Sequence, residues 1–222
     1  NPHVLPALLL DVPPEERSGI AHGIAVDATH VYWANAGQLN RSGGRLWKVA
    51  KAGGRALAVL LARASDPGAL ALDTENLFWL TRGARGALQR VSKNGGTPVT
   101  LASGFSWPEA LRLDDGLAYV AAGQGIWKVS KLGRDLRQLV EPGRRRGYNS
   151  LAVDDRHVYF TVRGGPDIYG RSWGDVYRVS KDGGTPELLA GGEPSPAGLE
   201  VDNEHVYWLA GASPSCISFY RC

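Results

Sequence analysis

Apolar and polar residues alternate along this chain in short stretches, which is the periodicity of β-strands and not of helices. A five-residue phrase, in which aliphatic residues alternate with small or polar ones and an aspartate ends the run, occurs five times. The copies are Gly23–Asp27, Ala69–Asp73, Ala110–Asp114, Ser150–Asp154 and Gly198–Asp202, and their starts are separated by 46, 41, 40 and 48 residues. This spacing is that of a four-stranded blade in a β-propeller.

The other strands of each unit follow in a fixed order. An aromatic strand comes after each aspartate: His30–Trp33, Asn76–Trp79, Leu117–Tyr119, His157–Phe160 and His205–Trp208. A third strand then ends in a cation and an aliphatic residue: Leu46–Val49, Leu88–Val91, Ile126–Val129 and Val176–Val179. Turns such as Asn94-Gly95 lead into a fourth strand, because such pairs accept the positive φ angles of tight hairpins.

The ends of the chain complete this pattern. The fifth unit stops at Phe219–Cys222, which corresponds to a third strand, whereas Val4–Leu10 corresponds to a fourth strand without the preceding three. We therefore predict one all-β domain, residues 1–222: a five-bladed β-propeller of four-stranded blades, whose last blade is closed by the N-terminal strand. The predicted blades are about 20–62, 63–103, 104–141, 146–190 and 195–222 with 3–10; a chain continuing beyond Cys222 would allow six blades.

Three of the repeated phrases resemble a known repeat type. Gly-Ile-Ala-Val-Asp, Val-Tyr-Trp and Lys-x-Gly-Gly are similar to phrases in bacterial propellers related to the YWTD repeats of the LDL-receptor family and to NHL repeats. The likeness runs from about Ile20 to Tyr220. It implies a propeller but not a function, because the shared residues are structural. YWTD propellers have six blades, so this chain departs from them in number.

Composition narrows the class of partner. The formal net charge is only +3, and the lysines fall at repeating positions along the chain instead of forming one basic stripe, which argues against a nucleic-acid partner. No run of apolar residues approaches the length needed to span a membrane. The chain starts at Asn1 and contains no methionine, from which we expect a mature, processed or trimmed chain and, on that basis, an exported protein, periplasmic or extracellular. We also expect a monomer.

The two cysteines, Cys216 and Cys222, leave the redox compartment open. In an extended strand they would lie about 20 Å apart, beyond the reach of a disulfide. A bridge requires the residues between them to bend back, and the sequence allows both arrangements.

Polar residues interrupt the repeat where the first strands begin, which in propellers is the channel-mouth face that usually binds ligands. Just before the first strands lie His22, Gly68, Glu109, Asn149 and Ala197. Two positions into the first strands lie Ala25, Ala71, Arg112, Ala152 and Glu200. We predict that His22, Glu109 and Asn149 contact a ligand, or alternatively cap the strand ends. Arg112 and Glu200 either form an ion pair or also contact a polar ligand.

A divalent metal site at the same position is another interpretation. The gluconolactonase and regucalcin family resembles this arrangement, since its carboxylate and amide side chains at strand starts hold a divalent metal. Only Glu109 and Asn149 match by residue type, and the family's second asparagine and its aspartate have no counterpart here. Calcium normally takes six or more oxygen ligands, so we predict no metal and no cofactor.

Aromatic residues and arginines gather in neighbouring loops. The predicted loop 163–175 contains Asp167, Tyr169, Arg171 and Trp173. The loop entering the fourth blade contains Arg144–Arg146 and Tyr148. Trp107 lies in the neighbouring entry loop, which leads into the first strand of the third blade. Exposed rings beside guanidinium groups suit stacking on sugars or bases and pairing with carboxylates or phosphates. The alternative is that the arginines are solvated and that Trp173 covers the top of a blade.

Other motifs are interpreted as structural. Gly170–Gly174 matches the pattern of a nucleophile elbow but lacks the strand-to-helix context that this motif needs. The five aspartates are predicted to hydrogen bond the turns that follow them, with His30, His157 and His205 as part of those turns. We therefore predict no catalytic residue and a non-enzymatic propeller that binds a small molecule, a glycan or a protein. The alternatives are a metal-assisted hydrolase or lyase at the channel mouth and a structural scaffold.

Overall fold

The computed structural model describes residues 21–36, 43–52, 59–141, 147–166, 172–211 and 217–221. Its secondary structure over these ranges is entirely β, arranged as four sheets of four strands and one sheet of three. In every sheet the strands pair in the order in which they follow along the chain, which is the antiparallel meander that the repeat predicts. Within the described ranges, no helix is long and apolar enough to cross a membrane.

The strands of the five sheets have the following bounds. The first sheet contains β1 (Ala21–Val26), β2 (His30–Asn35), β3 (Gly44–Ala50) and β4 (Val59–Ala64). The second contains β5 (Pro67–Leu72), β6 (Asn76–Thr81), β7 (Gly86–Ser92) and β8 (Val99–Phe105). The third contains β9 (Ala110–Leu113), β10 (Leu117–Ala122), β11 (Gly125–Ser130) and β12 (Arg137–Val140). The fourth contains β13 (Tyr148–Val153), β14 (His157–Pro166), β15 (Ser172–Ser180) and β16 (Glu187–Pro194), and the fifth β17 (Ala197–Val201), β18 (His205–Leu209) and β19 (Ile217–Arg221).

The chain divides into two compact units. The first comprises Asn1–Arg82 and Gln89–Val99, and the second comprises Gly83–Leu88 and Thr100–Cys222. In the first unit the aromatic strands supply the core, where Tyr32 and Trp79 pack with Leu46 and Leu61. In the second unit, one cluster gathers Tyr119, Tyr148 and Phe160, and another gathers Tyr159 and Trp208. The aromatic residues of the second strands are thus core, as the sequence predicted.

The aspartate that ends each first strand organises the turn to the second strand. One oxygen, Oδ1, accepts hydrogen bonds from the backbone N–H groups two and three residues further on, at 2.6–3.1 Å. The donors are Thr29 and His30 for Asp27, Glu75 and Asn76 for Asp73, Gly116 and Leu117 for Asp114, Arg156 and His157 for Asp154, and Glu204 and His205 for Asp202. The predicted structural role of these aspartates is confirmed, as is the place of the histidines in the same turns.

The other aspartate oxygen ties the turn to the core. In four repeats, Oδ2 accepts a hydrogen bond from the hydroxyl of the tyrosine five residues on, at 2.6–3.0 Å. These tyrosines are Tyr32, Tyr119, Tyr159 and Tyr207, and the second repeat has Phe78 instead. Where the ring is buried, as in Tyr32, Tyr119 and Tyr159, it fixes the position of the carboxylate.

Lysines join consecutive sheets within each unit. In the first unit Lys93 Nζ donates to Asp27 Oδ2 at 3.0 Å, and Lys48 Nζ donates to the carbonyl of Lys93 at 2.6 Å. In the second unit Lys181 Nζ donates in the same way to Asp114 Oδ2 at 2.8 Å. These contacts explain why lysine recurs after the third strand. The lysine ammonium group compensates the negative charge of a partly buried aspartate on another sheet.

The fourth sheet departs from the prediction made for it. Residues 163–175 were expected to form a long loop, but β14 extends to Pro166 and β15 starts at Ser172. The strands remain paired at Val162 with Asp175 and at Arg163 with Gly174. Alternation continues beyond the core, with Val162 buried and Arg163 exposed, so the hairpin is longer than the repeat average. The predicted N-terminal strand 3–10 and both cysteines lie outside the described residues.

Candidate functional site

The entry positions, the short segments that lead into the first strands, include three residues with an uncommon backbone conformation. Asp66, Trp107 and Ser195 have positive φ angles of 40°, 49° and 45°, and each is followed by a proline. Positive φ is costly for residues other than glycine, so it has to be held by the surrounding structure. In the second unit the N–H of Trp107 donates to the Gly83 carbonyl at 2.8 Å, and that of Ser195 donates to the Ser172 carbonyl at 2.9 Å. One backbone geometry therefore presents different side chains in different repeats.

The loop that carries Trp107 is fixed from both sides. Gln124 Oε1 accepts a hydrogen bond from the Ser106 N–H at 2.6 Å, and the Gly123 N–H donates to the Ser106 carbonyl at 2.7 Å. Phe105 is buried beneath the loop and packs edge-on against Trp127, with ring centroids 6.0 Å apart. The Trp107 side chain is nevertheless 49% exposed. A rigid backbone thus holds an indole at the surface.

Glu109 follows Trp107 by two residues in the same entry segment. It is exposed, and the intervening residue Pro108 is buried, so the two side chains flank one anchored proline. The backbone N–H of Glu109 donates to the Ala121 carbonyl at 2.9 Å, which places it at the edge of the third sheet. Glu109 and Trp107 are therefore two exposed side chains of one entry segment.

Arg112 and Glu200 form the ion pair that the sequence predicted. Arg112 Nη2 lies 2.8 Å from Glu200 Oε1, joining β9 of the third sheet to β17 of the fifth. Ala152 occupies the same repeat position in the intervening fourth sheet, and its small side chain leaves room for the pair. The two side chains are 38% and 73% exposed, so the pair contributes at most about 1 kcal/mol to stability.

Asn149 uses its amide group within the protein. Its Nδ2 donates to the Pro196 carbonyl at 3.2 Å, and its Oδ1 accepts from the buried hydroxyl of Thr161 at 2.7 Å. The neighbouring Ser150 Oγ accepts from the Gly198 N–H at 3.1 Å. These contacts join the fourth and fifth sheets where their first strands begin, which corresponds to the strand-capping alternative.

His22 lies in the first unit, on β1. Nη1 of Arg82 lies 2.8 Å from its Nε2 and 3.0 Å from its Nδ1. Partial burial lowers the pKa of His22, and the positive charge of Arg82 lowers it further, while Asp66 acts in the opposite direction. The imidazole is therefore neutral at pH 7 and accepts a hydrogen bond from the guanidinium.

Two aromatic residues that were predicted to lie in loops lie on strands instead. Tyr148 was predicted to be exposed in a loop, but it starts β13 and is only 3% exposed. It stands where other repeats have Pro67, Pro108 and Pro196, and it packs against Phe160 with centroids 5.8 Å apart. Trp173 lies on β15 opposite Pro194, not in a loop, and it is 36% exposed. The predicted loop residues Arg144–Arg146, Asp167, Tyr169 and Arg171 fall outside the described ranges.

Two cavities in the second unit were not predicted. A groove of about 730 Å³, here called the aromatic groove, is lined by Tyr148, Phe160, Tyr177 and Asp175 together with Leu139, Val140, Glu141, Val162, Gly184, Thr185 and Pro186. Asp175 was not among the predicted site residues. The other repeats have Arg45, Ala87 and Gly125 at this position, so the carboxylate is a departure from the repeat that the sequence does show.

The second cavity, of about 810 Å³, lies at the opposite ends of the first strands. It is lined by the aspartate turns of the third, fourth and fifth sheets, including Asp115, Asp155 and Asn203. Among the residues that the structure describes, no group of three or more histidine, cysteine, aspartate or glutamate side chains is arranged to hold a metal ion.

Comparisons with known proteins agree on the fold. No protein-family model matches the sequence, and no curated protein is similar to it in sequence. The computationally designed Ika8 protein is 13% identical, with a TM-score of 0.61 over 91% of this chain and 71% of that one. A putative TolB from Agrobacterium tumefaciens is 16% identical, with a TM-score of 0.55 over 79% of this chain and 67% of that one.

Enzymes are also among the similar structures. A puromycin-hydrolyzing peptidase of Mycobacterium tuberculosis is 15% identical, with a TM-score of 0.64 over 92% of this chain, which spans only 36% of the peptidase chain. At such identities the likeness concerns the fold alone. These structures are β-propeller-like, and the repeated four-stranded antiparallel sheets of this chain have the same architecture.

Proposed function

We propose that this chain is a non-enzymatic binding module that recognises a glycan through the entry positions of its second unit. The observation that carries the proposal is the exposed indole of Trp107 on a backbone held at φ 49°. An outlying, well-supported backbone conformation that presents a large aromatic ring is typical of a recognition surface.

The chemistry of the two neighbouring side chains favours a sugar. An indole face is large and apolar and packs against the C–H face of a sugar ring. A carboxylate accepts several hydrogen bonds and suits the adjacent hydroxyl groups of the same sugar. Trp107 and Glu109, exposed on either side of Pro108, supply these two functions.

The fixed loop supports affinity. Binding costs less conformational entropy when the contacting side chains already stand on an ordered backbone. The hydrogen bonds of Ser106 with Gln124 and Gly123 provide that order for Trp107.

The other predicted site residues have different roles in this proposal. Arg112, Glu200 and Trp173 are exposed to differing degrees and extend the surface, whereas Asn149 positions it through its bonds to Thr161 and Pro196. Tyr148 belongs to the aromatic groove, and His22 stays a predicted contact of the first unit. The alternative of a metal-assisted hydrolase or lyase gains no support from the described residues.

A glycan microarray tests the proposal. We expect the wild-type protein to bind a subset of glycans and Trp107→Ala to lose about tenfold or more of the signal, because one aromatic contact contributes of the order of 1–2 kcal/mol. Leu132→Ala is the matched control, since Leu132 is an exposed apolar residue in the hairpin turn between β11 and β12. A wild-type protein that binds no glycan, or equal losses in the two variants, would contradict the proposal.

Blade number and location are separate proposals. A closed ring of five blades, with residues 3–10 as the fourth strand of the last blade, is supported by the three strands of the fifth sheet against four in each other sheet. The relation to YWTD or NHL repeats and export from a bacterial cell rest on sequence alone and stay predictions.

A further inference from the structure

The turn between β6 and β7 brings an arginine to the entry segment that carries Trp107. We infer that the glycan bound at this segment is an acidic one, and that Arg85 pairs with its carboxylate or sulfate group. The inference rests on the proposed function, because it names the class of glycan for the same site. It assigns to Arg85 the selection between acidic and neutral sugars.

A backbone hydrogen bond joins the turn to the entry segment. The N–H of Trp107 donates to the Gly83 carbonyl at 2.8 Å, and Arg85 follows Gly83 by two residues. Gly83, Arg85 and Trp107 all belong to the second unit. Gly83 is buried and has a φ angle of 108°, which glycine adopts at little cost and other residues rarely adopt. Arg85 therefore stands on an ordered turn that contacts the backbone of the indole-bearing residue.

The charge of Arg85 is not used within the protein. Its side chain is exposed, and it forms no hydrogen bond or ion pair with any residue that the structure describes. Arg82, the other arginine of the turn, differs, because its Nη1 lies 2.8 Å from Nε2 of His22. Of these two guanidinium groups, only that of Arg85 keeps its full hydrogen-bonding capacity for a ligand.

Arg85 and Glu109 are attached to opposite ends of the same short segment. The N–H of Trp107 is bonded to the turn between β6 and β7, whereas the N–H of Glu109 donates to the Ala121 carbonyl on β10 at 2.9 Å. The buried Pro108 separates the two residues. A ligand that covers the segment therefore meets a cation at its Trp107 end and a carboxylate at its Glu109 end.

An acidic sugar matches this distribution of charge. Such a sugar carries one anionic group and, at other ring positions, hydroxyl groups. A guanidinium binds a carboxylate or a similar oxyanion through two parallel N–H donors, and these charge-assisted hydrogen bonds are the stronger ones. The Glu109 carboxylate accepts from the hydroxyl groups, and the Trp107 indole packs on the C–H face of the ring. A neutral sugar uses the last two contacts but gains much less from Arg85.

Biolayer interferometry with matched oligosaccharide pairs tests the inference. The acidic probes are oligosaccharides of galacturonic acid, of glucuronic acid and of sulfated galactose, each paired with the neutral oligosaccharide of the same linkage. We expect at least one acidic probe to bind about tenfold or more tightly than its neutral partner. The difference should decrease as NaCl is raised, because salt screens exposed charges. The uronic acid and sulfate arms tell which acidic group is preferred.

The outcomes separate this inference from the proposed function. Neutral probes that bind as tightly as their acidic partners would overturn the selection by Arg85 but leave glycan recognition at Trp107 in place. Absence of binding to every probe and to every glycan of the array would contradict both.

Substitutions locate the selectivity. We expect Arg85→Gln to lower the affinity for the acidic probe about tenfold, to the level of its neutral partner, whereas Arg134→Gln has no effect. Arg134 is an exposed arginine in the turn between β11 and β12, so both variants change the net charge equally. Trp107→Ala should lower the affinity for both probes of a pair, because ring packing does not depend on charge. Equal effects of Arg85→Gln and Arg134→Gln would overturn the inference.

Discussion

Each repeat places one carboxylate where it satisfies two backbone N–H groups and, in four repeats, a tyrosine hydroxyl. For Asp154, partial burial acts to raise the pKa, but hydrogen bonds from Tyr159 and from the N–H groups of His157 and Arg156 outweigh it and lower the pKa. The same balance lowers the pKa of Asp114, where Lys181 is the largest favourable contribution. The ionised aspartate therefore stabilises the folded state.

This balance predicts how stability depends on pH. A carboxyl group whose pKa is lower in the folded than in the unfolded state stabilises the protein above its unfolded pKa, about 4. That contribution is lost as the pH falls through the lower pKa of the folded state. We expect the free energy of unfolding, measured with urea, to decrease progressively below about pH 4.

A variant identifies the groups responsible. Asp154→Asn removes one of these carboxylates, so its stability should be lower than that of the wild type at pH 7 by about 1–3 kcal/mol. Its further loss between pH 7 and pH 3 should be smaller than that of the wild type. An identical pH dependence in the two proteins would show that Asp154 does not contribute in this way.

The structural role of these aspartates could be predicted from the sequence, because a residue that recurs at the same position of every repeat is needed for the shared structure. It did not predict that Tyr148 is buried. Tyrosine replaces proline there, and the sequence alone does not tell whether the ring turns outward to solvent or inward onto Phe160. A single substitution within a repeat marks a special position without giving the direction of its side chain.

At the level of strands and turns, close contacts leave no space for side chains at particular glycines. Gly125 begins β11 with φ 126°, and a Cβ atom there would overlap the carbonyl oxygen of Val140 on β12. Both the backbone conformation and the contact exclude other residues. Gly116, in the turn before β10, has no neighbour within 4 Å of its hypothetical Cβ.

These two glycines give a matched pair of substitutions. We expect Gly125→Ala to destabilise the protein by about 2 kcal/mol or more, because β12 has to move away or the hairpin has to distort. Gly116→Ala should change the free energy of unfolding by less than about 1 kcal/mol. Urea unfolding of both variants measures the difference, and similar effects would contradict the packing described for β11 and β12.

The order of the strands in the described sheets could be predicted from the sequence, but the length of the fourth hairpin could not. Gly164, Gly165 and Pro166 indicate a loop by composition, yet β14 includes all three. Pairing across the hairpin, with a shift in register between Arg163 and Pro166, overrides the weak strand propensity of these residues. Tertiary pairing of this kind is not encoded in local composition.

For the whole molecule, the contacts between repeats matter as much as those within them. Lys181, from the turn after β15, reaches Asp114 and Tyr119 of the third sheet. Its side chain is only 17% exposed, so the charge depends on these partners. The sequence indicated recurrent lysines but gave no partner for them, because partners in other repeats depend on how the sheets pack.

Removal of this contact should weaken the second unit. We expect Lys181→Met to lower the free energy of unfolding by about 1–3 kcal/mol, since Asp114 loses a charged partner. Lys51→Met is the control, because Lys51 occupies the same repeat position but is exposed. Thermal and urea unfolding compare the variants, and an equal loss in both would show that Lys181 contributes no more than an exposed lysine.

The propeller architecture was predictable from the spacing of the repeats, whereas the binding surface was predictable only in part. Trp107 and Glu109 lie exposed where the sequence placed them, and Arg112 and Glu200 form their predicted pair. The aromatic groove was not foreseen, because its lining comes from β12, β13, β14 and β15 and converges only in the folded unit. Closure of the ring by residues 3–10 stays a prediction.

The most direct measurement of the central claim is the response of the Trp107 indole to a glycan. In a ¹⁵N–¹H correlation spectrum, Trp107→Phe assigns the indole N–H of Trp107 among those of the seven tryptophans. On titration with the strongest glycan from the array, that signal should shift with saturation while the signal of the buried Trp79 stays unchanged. A glycan that binds without moving the Trp107 signal would contradict recognition at the entry positions.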